Sequence, residues 1–128
     1  MKNLLSAVFV IALTALAAAG ALAEPDTRGT FTGKSDHVTT GSVTVEKHSD
    51  GSATVTLSAD FSLDGAPDPR VAFGKDGAYA AEADLGVLKK LNGAQVYHVP
   101  ASVDADSYNE IYIWCLKFSV PLGVAALG

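Results

Sequence analysis

The chain carries one cysteine, Cys115, and three histidines, His37, His48 and His98. A thiol does chemistry when it can ionise and be reached, as a nucleophile, a ligand or a redox group. The imidazoles share no metal-ligand spacing. His48 falls in a predicted hairpin turn. His98 sits in a predicted strand with parity opposite to Tyr97, a position more often half-buried than ligating. Asp60, Asp64 and Asp68 precede one strand, and Asp104 and Asp106 lie in a polar loop. Neither group has oxygen ligands at alternate positions followed by glycine, so both read as turn-forming aspartates and no metal site is assigned. There is no glycine-rich phosphate loop, nucleophile elbow or CxxC. A Cys115–His98 dyad would suit acyl transfer, yet nothing in the sequence supplies an oxyanion hole. No catalytic residue is assigned, and the chain does not read as a stand-alone enzyme.

Fourteen acidic residues against nine basic ones give a net charge of −5, with no basic cluster. That balance excludes nucleic acid as a partner. Lys2, the apolar run from Leu4 to Leu16 and Ala21-Leu22-Ala23 have the pattern of a secretory signal peptide with its cleavage site. Residues 1–23 are therefore read as a signal peptide and 24–128 as a single domain, with no membrane span in the mature chain. The expected location is periplasmic or secreted. A lone cysteine in an exported chain forms no internal disulfide. It is either a reactive thiol, one end of an intermolecular bond or ligand set, or a small core hydrophobe.

The elements that position these groups read as short strands. Val43 and Val45 alternate with Thr44 and Glu46, and Ala53, Val55 and Leu57 with Thr54 and Thr56. Asp50-Gly51 between them predicts a hairpin. Asn92-Gly93 predicts a second, joining Leu85–Leu91 to Gln95–Val99. Asp64-Gly65, Pro67-Asp68-Pro69 and Lys75-Asp76-Gly77 are turn chemistry. Ala78–Ala83 reads as a loop or short strand. No amphipathic helix of useful length appears. The fold class is all-β: a β-sandwich or small barrel, mostly antiparallel.

The longest apolar run outside the N-terminus lies within Tyr108–Val120, YNEIYIWCLKFSV. Read as one strand, its even positions, including Trp114 and Phe118, face the core. Its odd positions end in Lys117 and Ser119 and turn polar halfway. That parity puts Cys115 at the rim of the other face, semi-buried, two residues from the Lys117 ammonium. Sequential strands often pair, so Tyr97 and His98 are its expected neighbours along with Trp114.

Several segments together resemble the electron-transfer DM-thirteen domain family. They are Gly29–Gly33 (GTFTG), Gly41–Val45, Ala66–Gly74 (APDPRVAFG), Leu85–Pro100 and Tyr108–Leu127. Gly93, Gln95, Tyr97 and Pro100 carry one motif, and Trp114, Cys115 and Phe118 another. The resemblance implies an extracytoplasmic β module with one characteristic cysteine, at Cys115. It implies a role in redox or electron transfer, with haem among the cofactors it admits. The partner would be a separate redox protein or membrane cytochrome. The alternative is a non-catalytic binding or structural module whose cysteine fills the core.

Overall fold

A computed structural model describes residues 26–128. The expected signal peptide and cleavage site lie outside the described residues. Ten strands follow in order: β1 (Thr27–Gly33), β2 (Thr39–Thr40), β3 (Ser42–Lys47), β4 (Ala53–Leu57) and β5 (Ser62–Leu63), then β6 (Pro69–Lys75), β7 (Ala78–Val87), β8 (Gln95–Val99), β9 (Glu110–Cys115) and β10 (Val120–Ala126). A 3-10 turn at Ala105–Ser107 is the one helical element among the described residues.

Eight strands form one sheet in the order β7-β6-β9-β10-β1-β3-β4-β8, with every neighbouring pair antiparallel. β2 and β5 make a small separate ribbon. The sheet curls until its edges approach, giving a nearly closed barrel. The chain itself bridges the gap between β7 and β8. There the Lys89 backbone N–H donates to the Tyr97 hydroxyl at 2.8 Å, and the Gln95 amide donates to the Lys90 and Gly93 carbonyls at 2.9 and 3.0 Å. These bonds satisfy polar groups that an open edge would leave unpaired.

Period-two alternation fills the interior. Val43 and Val45 on β3, Val55 and Leu57 on β4, Val71 and Phe73 on β6, and Ile111 and Ile113 on β9 are all at most 2% exposed. Each such side chain contributes about 1.5–3 kcal/mol by leaving water. Phe31 and Phe61 meet edge to face at 5.5 Å.

The Asp50-Gly51 hairpin forms as expected, pairing Val43 with Leu57. Asp76-Gly77 makes another. Both residues have positive φ, 51° and 89°, which matches the twist of a two-residue hairpin between β6 and β7. Ala78–Ala83 belongs to β7, a strand of 10 residues. Asn92-Gly93 does turn the chain, with Gly93 at φ +99°, but its flanking strands do not pair. β7 and β8 are the two edges of the sheet, and Gly93 N–H bonds Phe61 O instead.

The Tyr108–Val120 run departs most from its reading. β9 stops at Cys115, and Leu116–Ser119 form the turn into β10. The faces are the reverse of those expected. Ile111, Ile113 and Cys115 point inward, while Trp114 is half-buried outside and Phe118 is 62% exposed on the turn. Val96, an apolar residue of β8, is likewise 49% exposed. Apolarity could not choose the face because both sides of β9 are apolar: aliphatic and sulfur inside, aromatic outside.

Candidate functional site

Strand β9 is flanked by β6 and β10, so its outward residues share rows with theirs. Trp114 sits opposite Arg70 on one side and Pro121 on the other. Tyr112 sits opposite Ala72 and Val124. The small residues on β6 leave room for rings to lie on the sheet. Gly74 is decisive: a Cβ there would fall 2.2 and 2.4 Å from Tyr112 ring carbons. Tyr112 is thereby 3% exposed although it lies on the outer face.

Tyr79 reaches across from β7 and stacks on Trp114, with ring centroids 4.1 Å apart and planes 3° from parallel. Tyr112 meets the same indole edge-on at 6.2 Å and 75°. The Tyr79 hydroxyl donates to Asp84 Oδ2 at 2.7 Å. Asp84 is fixed in turn by Arg70, whose guanidinium lies 3.2 Å from Oδ1, and by the Gly86 N–H at 2.8 Å. Burial, and then the bond to Asp84, push the Tyr79 phenol up to about 12. Burial also raises Tyr112, with the Glu110 carboxylate adding to it. Both phenols therefore stay protonated at neutral pH.

These rings line an open groove of about 440 Å³ together with Pro121, Val124 and Lys34. Its size falls in the range of small-molecule sites. Glu110 closes one end, accepting from Gly77 N–H at 2.9 Å.

Cys115 lies behind this face. Its side chain is 1% exposed and packs with the core. Its Sγ–H donates to the Pro67 carbonyl at 3.2 Å. That bond occupies the thiol inside the core. The chain just before β6 seals the sulfur: Asp68 O accepts from Leu116 N–H at 3.1 Å beside it.

Among the expected neighbours, only Trp114 is adjacent, through the backbone, and its ring faces the other way. Lys117 is exposed on the turn, its ammonium 5.7 Å from the Phe118 ring centroid. β8 pairs with β4, four strands beyond β10, so Tyr97 and His98 do not flank β9. Tyr97 is buried, and its hydroxyl donates to Gln95 Oε1 at 2.5 Å where the barrel closes. His98 is exposed opposite Thr54. Among the described residues no group of three or more His, Cys, Asp or Glu could hold a metal ion.

The motif residues Trp114 and Cys115 thus end β9 of a β barrel side by side, the indole outward and the sulfur inward. Residues 30–127 match the family described as electron transfer DM13. The chain belongs to this family. No curated protein and no solved structure matches it.

The DM13 assignment raises the question of haem at Cys115, and the residues there do not fit it. An axial thiolate needs an open coordination position and room for a macrocycle. This sulfur is enclosed by core side chains and already bonded to a carbonyl. The groove on the far side of β9 is where this DM13 domain has room for a group. Tyr79 and Lys34 were not singled out from the sequence. Tyr79 sits in an alanine-rich stretch with weak strand signals, and Lys34 reaches the site from the loop after β1. The signal that could have found Tyr79 is the Asp76-Gly77 hairpin, which folds β7 back alongside β6.

Proposed function

We propose that the protein is an exported accessory in electron transfer, serving a separate redox protein or membrane cytochrome, with electron exchange at the outer aromatic face. The observation that carries this reading is the Tyr79–Trp114 stack beside an open groove. Tryptophan and tyrosine side chains take up no electrons from a reductant, so the group reduced would be a conjugated redox ring held in the groove against the stack, whereas a sealed thiol cannot exchange atoms with a partner. Membership of the DM13 family supports the redox-related class. The sequence pattern of residues 1–23 supports export. In this reading Cys115 fills the core as a small apolar side chain.

A second reading keeps Cys115 as the redox centre. It is favoured by the thinness of the seal: two consecutive carbonyls, of Pro67 and Asp68, hold the chain over the sulfur. Local opening there would expose a thiol able to join a partner's thiol, the pair giving up two electrons and two protons to a disulfide-type oxidant.

The test is to isolate the protein from the exported fraction of its host, sequence its N-terminus and titrate it with reductant under an absorption spectrum. The expected result is a chain starting at Glu24 with a reducible chromophore. An intact Met1, or a colourless protein that takes up no electrons, would overturn the proposal.

A further inference from the structure

The groove has a chemistry of its own. Trp114, Tyr112 and Tyr79 line it, with Pro121 and Val124 completing an apolar lining. Flat aromatic walls select flat ligands, because offset stacking and edge contacts reward rings of matching shape. The polar groups at the rim then decide what such a ring must carry. Arg70 is paired with Asp84 and does not reach out. The Glu110 carboxylate already accepts from the Gly77 N–H. Lys34 is exposed, and no ion pair or hydrogen bond of its ammonium occurs among the described residues. The groove is therefore lined by two charged groups, the Glu110 carboxylate held by a backbone N–H and the Lys34 ammonium with no such partner among the described residues, and the ammonium is the one open to an anion.

We propose that this groove binds a planar conjugated ring bearing an anionic substituent, the ring lying against Trp114 and the anion meeting Lys34. The chain as a whole is acidic, so such an anion is selected by the local cation and not by the protein's net field. Flavin phosphates and sulfonated or carboxylated quinones share this chemistry. The inference rests on the electron-transfer reading only for the redox-active character of the ring. Binding is measured with oxidised flavin and no reductant present, so loss of binding and loss of electron uptake are separate results.

The test uses the mature protein and follows the fluorescence of flavin mononucleotide, which is quenched when the isoalloxazine stacks on an indole. Saturable quenching is expected, with flavin mononucleotide bound about tenfold more tightly than uncharged riboflavin. Lys34→Glu should erase that preference while leaving riboflavin binding in place; Lys90→Glu, on the β7–β8 connection, should change neither. Trp114→Leu should weaken both flavins. Anthraquinone-2-sulfonate should displace the flavin, since a planar ring with an anion is what is read, and failure to displace would overturn the proposal. No saturable quenching, a flavin preference that survives Lys34→Glu, or displacement by inorganic phosphate alone at the same concentration would overturn it.

Discussion

Trp114 and Cys115 are consecutive in the chain and lie on opposite sides of one sheet. The indole stacks on Tyr79 at 4.1 Å outside, and the sulfur bonds the Pro67 carbonyl at 3.2 Å inside. A single peptide unit separates a half-exposed indole from a sealed thiol. The first prediction follows directly. A small alkylating reagent should leave Cys115 unmodified in the folded protein and label it fully after unfolding. Cys115→Ala removes one buried heavy atom and should cost about 1 kcal/mol in denaturant unfolding. Rapid labelling of the native protein would mean that the Pro67–Asp68 seal is open in solution.

Gly74 makes the aromatic face. In Gly74→Ala the new Cβ would overlap the Tyr112 ring and lie 2.7 Å from the Ala78 carbonyl. Neither backbone nor a ring 3% exposed can give way cheaply. A loss of about 1–3 kcal/mol is expected, as for overpacking elsewhere. Tryptophan emission should change with it, because Tyr112 packs edge-on against the one indole in the chain. Unchanged emission and stability would show that Tyr112 is not held by that contact.

Tyr79 should make stability fall at high pH. Its folded-state value is about 12, above the ordinary 10.0. The stabilisation is thus complete below pH 10. It is lost as pH rises from 10 towards 12, because the unfolded chain releases the phenolic proton first. Asp84→Asn removes the carboxylate that holds this proton. Ultraviolet titration of the variant should find one tyrosine ionising at lower pH than in the wild type, and an unchanged titration would contradict the Tyr79–Asp84 bond.

Phe118 and Tyr97 each belong to a sequence motif, yet they should differ sharply in their effect on stability. Phe118→Ser, on the exposed turn, should change stability by no more than about 0.5 kcal/mol. Tyr97→Phe leaves the Lys89 N–H without its acceptor where the barrel closes and should cost about 1–3 kcal/mol. A large effect at Phe118 with a small one at Tyr97 would reverse the assignment.

The contrast shows where the sequence was legible. Strands with one polar face, such as Val43–Lys47 and Ala53–Leu57, declare their inner side, and Asp-Gly turns with positive φ declare their hairpins. β9 declares nothing about its sides, since Ile111, Ile113 and Cys115 are as apolar as Tyr112 and Trp114. Its true end at Cys115 is hidden because Leu116 and Phe118 extend the apolar alternation into a turn. β10 also runs through Pro121 and Gly123, residues that normally stop a strand. The strand tolerates them at a register shift opposite Trp114. The candidate site was half legible: Trp114 and Cys115 stood out as single occurrences. Tyr79, Lys34 and the groove depend on β7, β6, β9 and the loop after β1 meeting, and that is a long-range property. The pairing of Tyr97 and His98 with β9 failed for the same reason. The chain from Pro100 to Asn109 carries β9 to the far half of the sheet, with Lys47–Asp106 and the Phe73–Tyr108 ring contact holding it there.

The central claim is that electrons enter through the Trp114 face and not through the Cys115 thiol. Its most direct test is reductive titration of the protein isolated from the exported fraction, comparing wild type with Cys115→Ala and Trp114→Leu. Electron uptake that is kept in Cys115→Ala and lost or strongly slowed in Trp114→Leu is the predicted result. Uptake that disappears with Cys115 and is untouched by Trp114→Leu would contradict it.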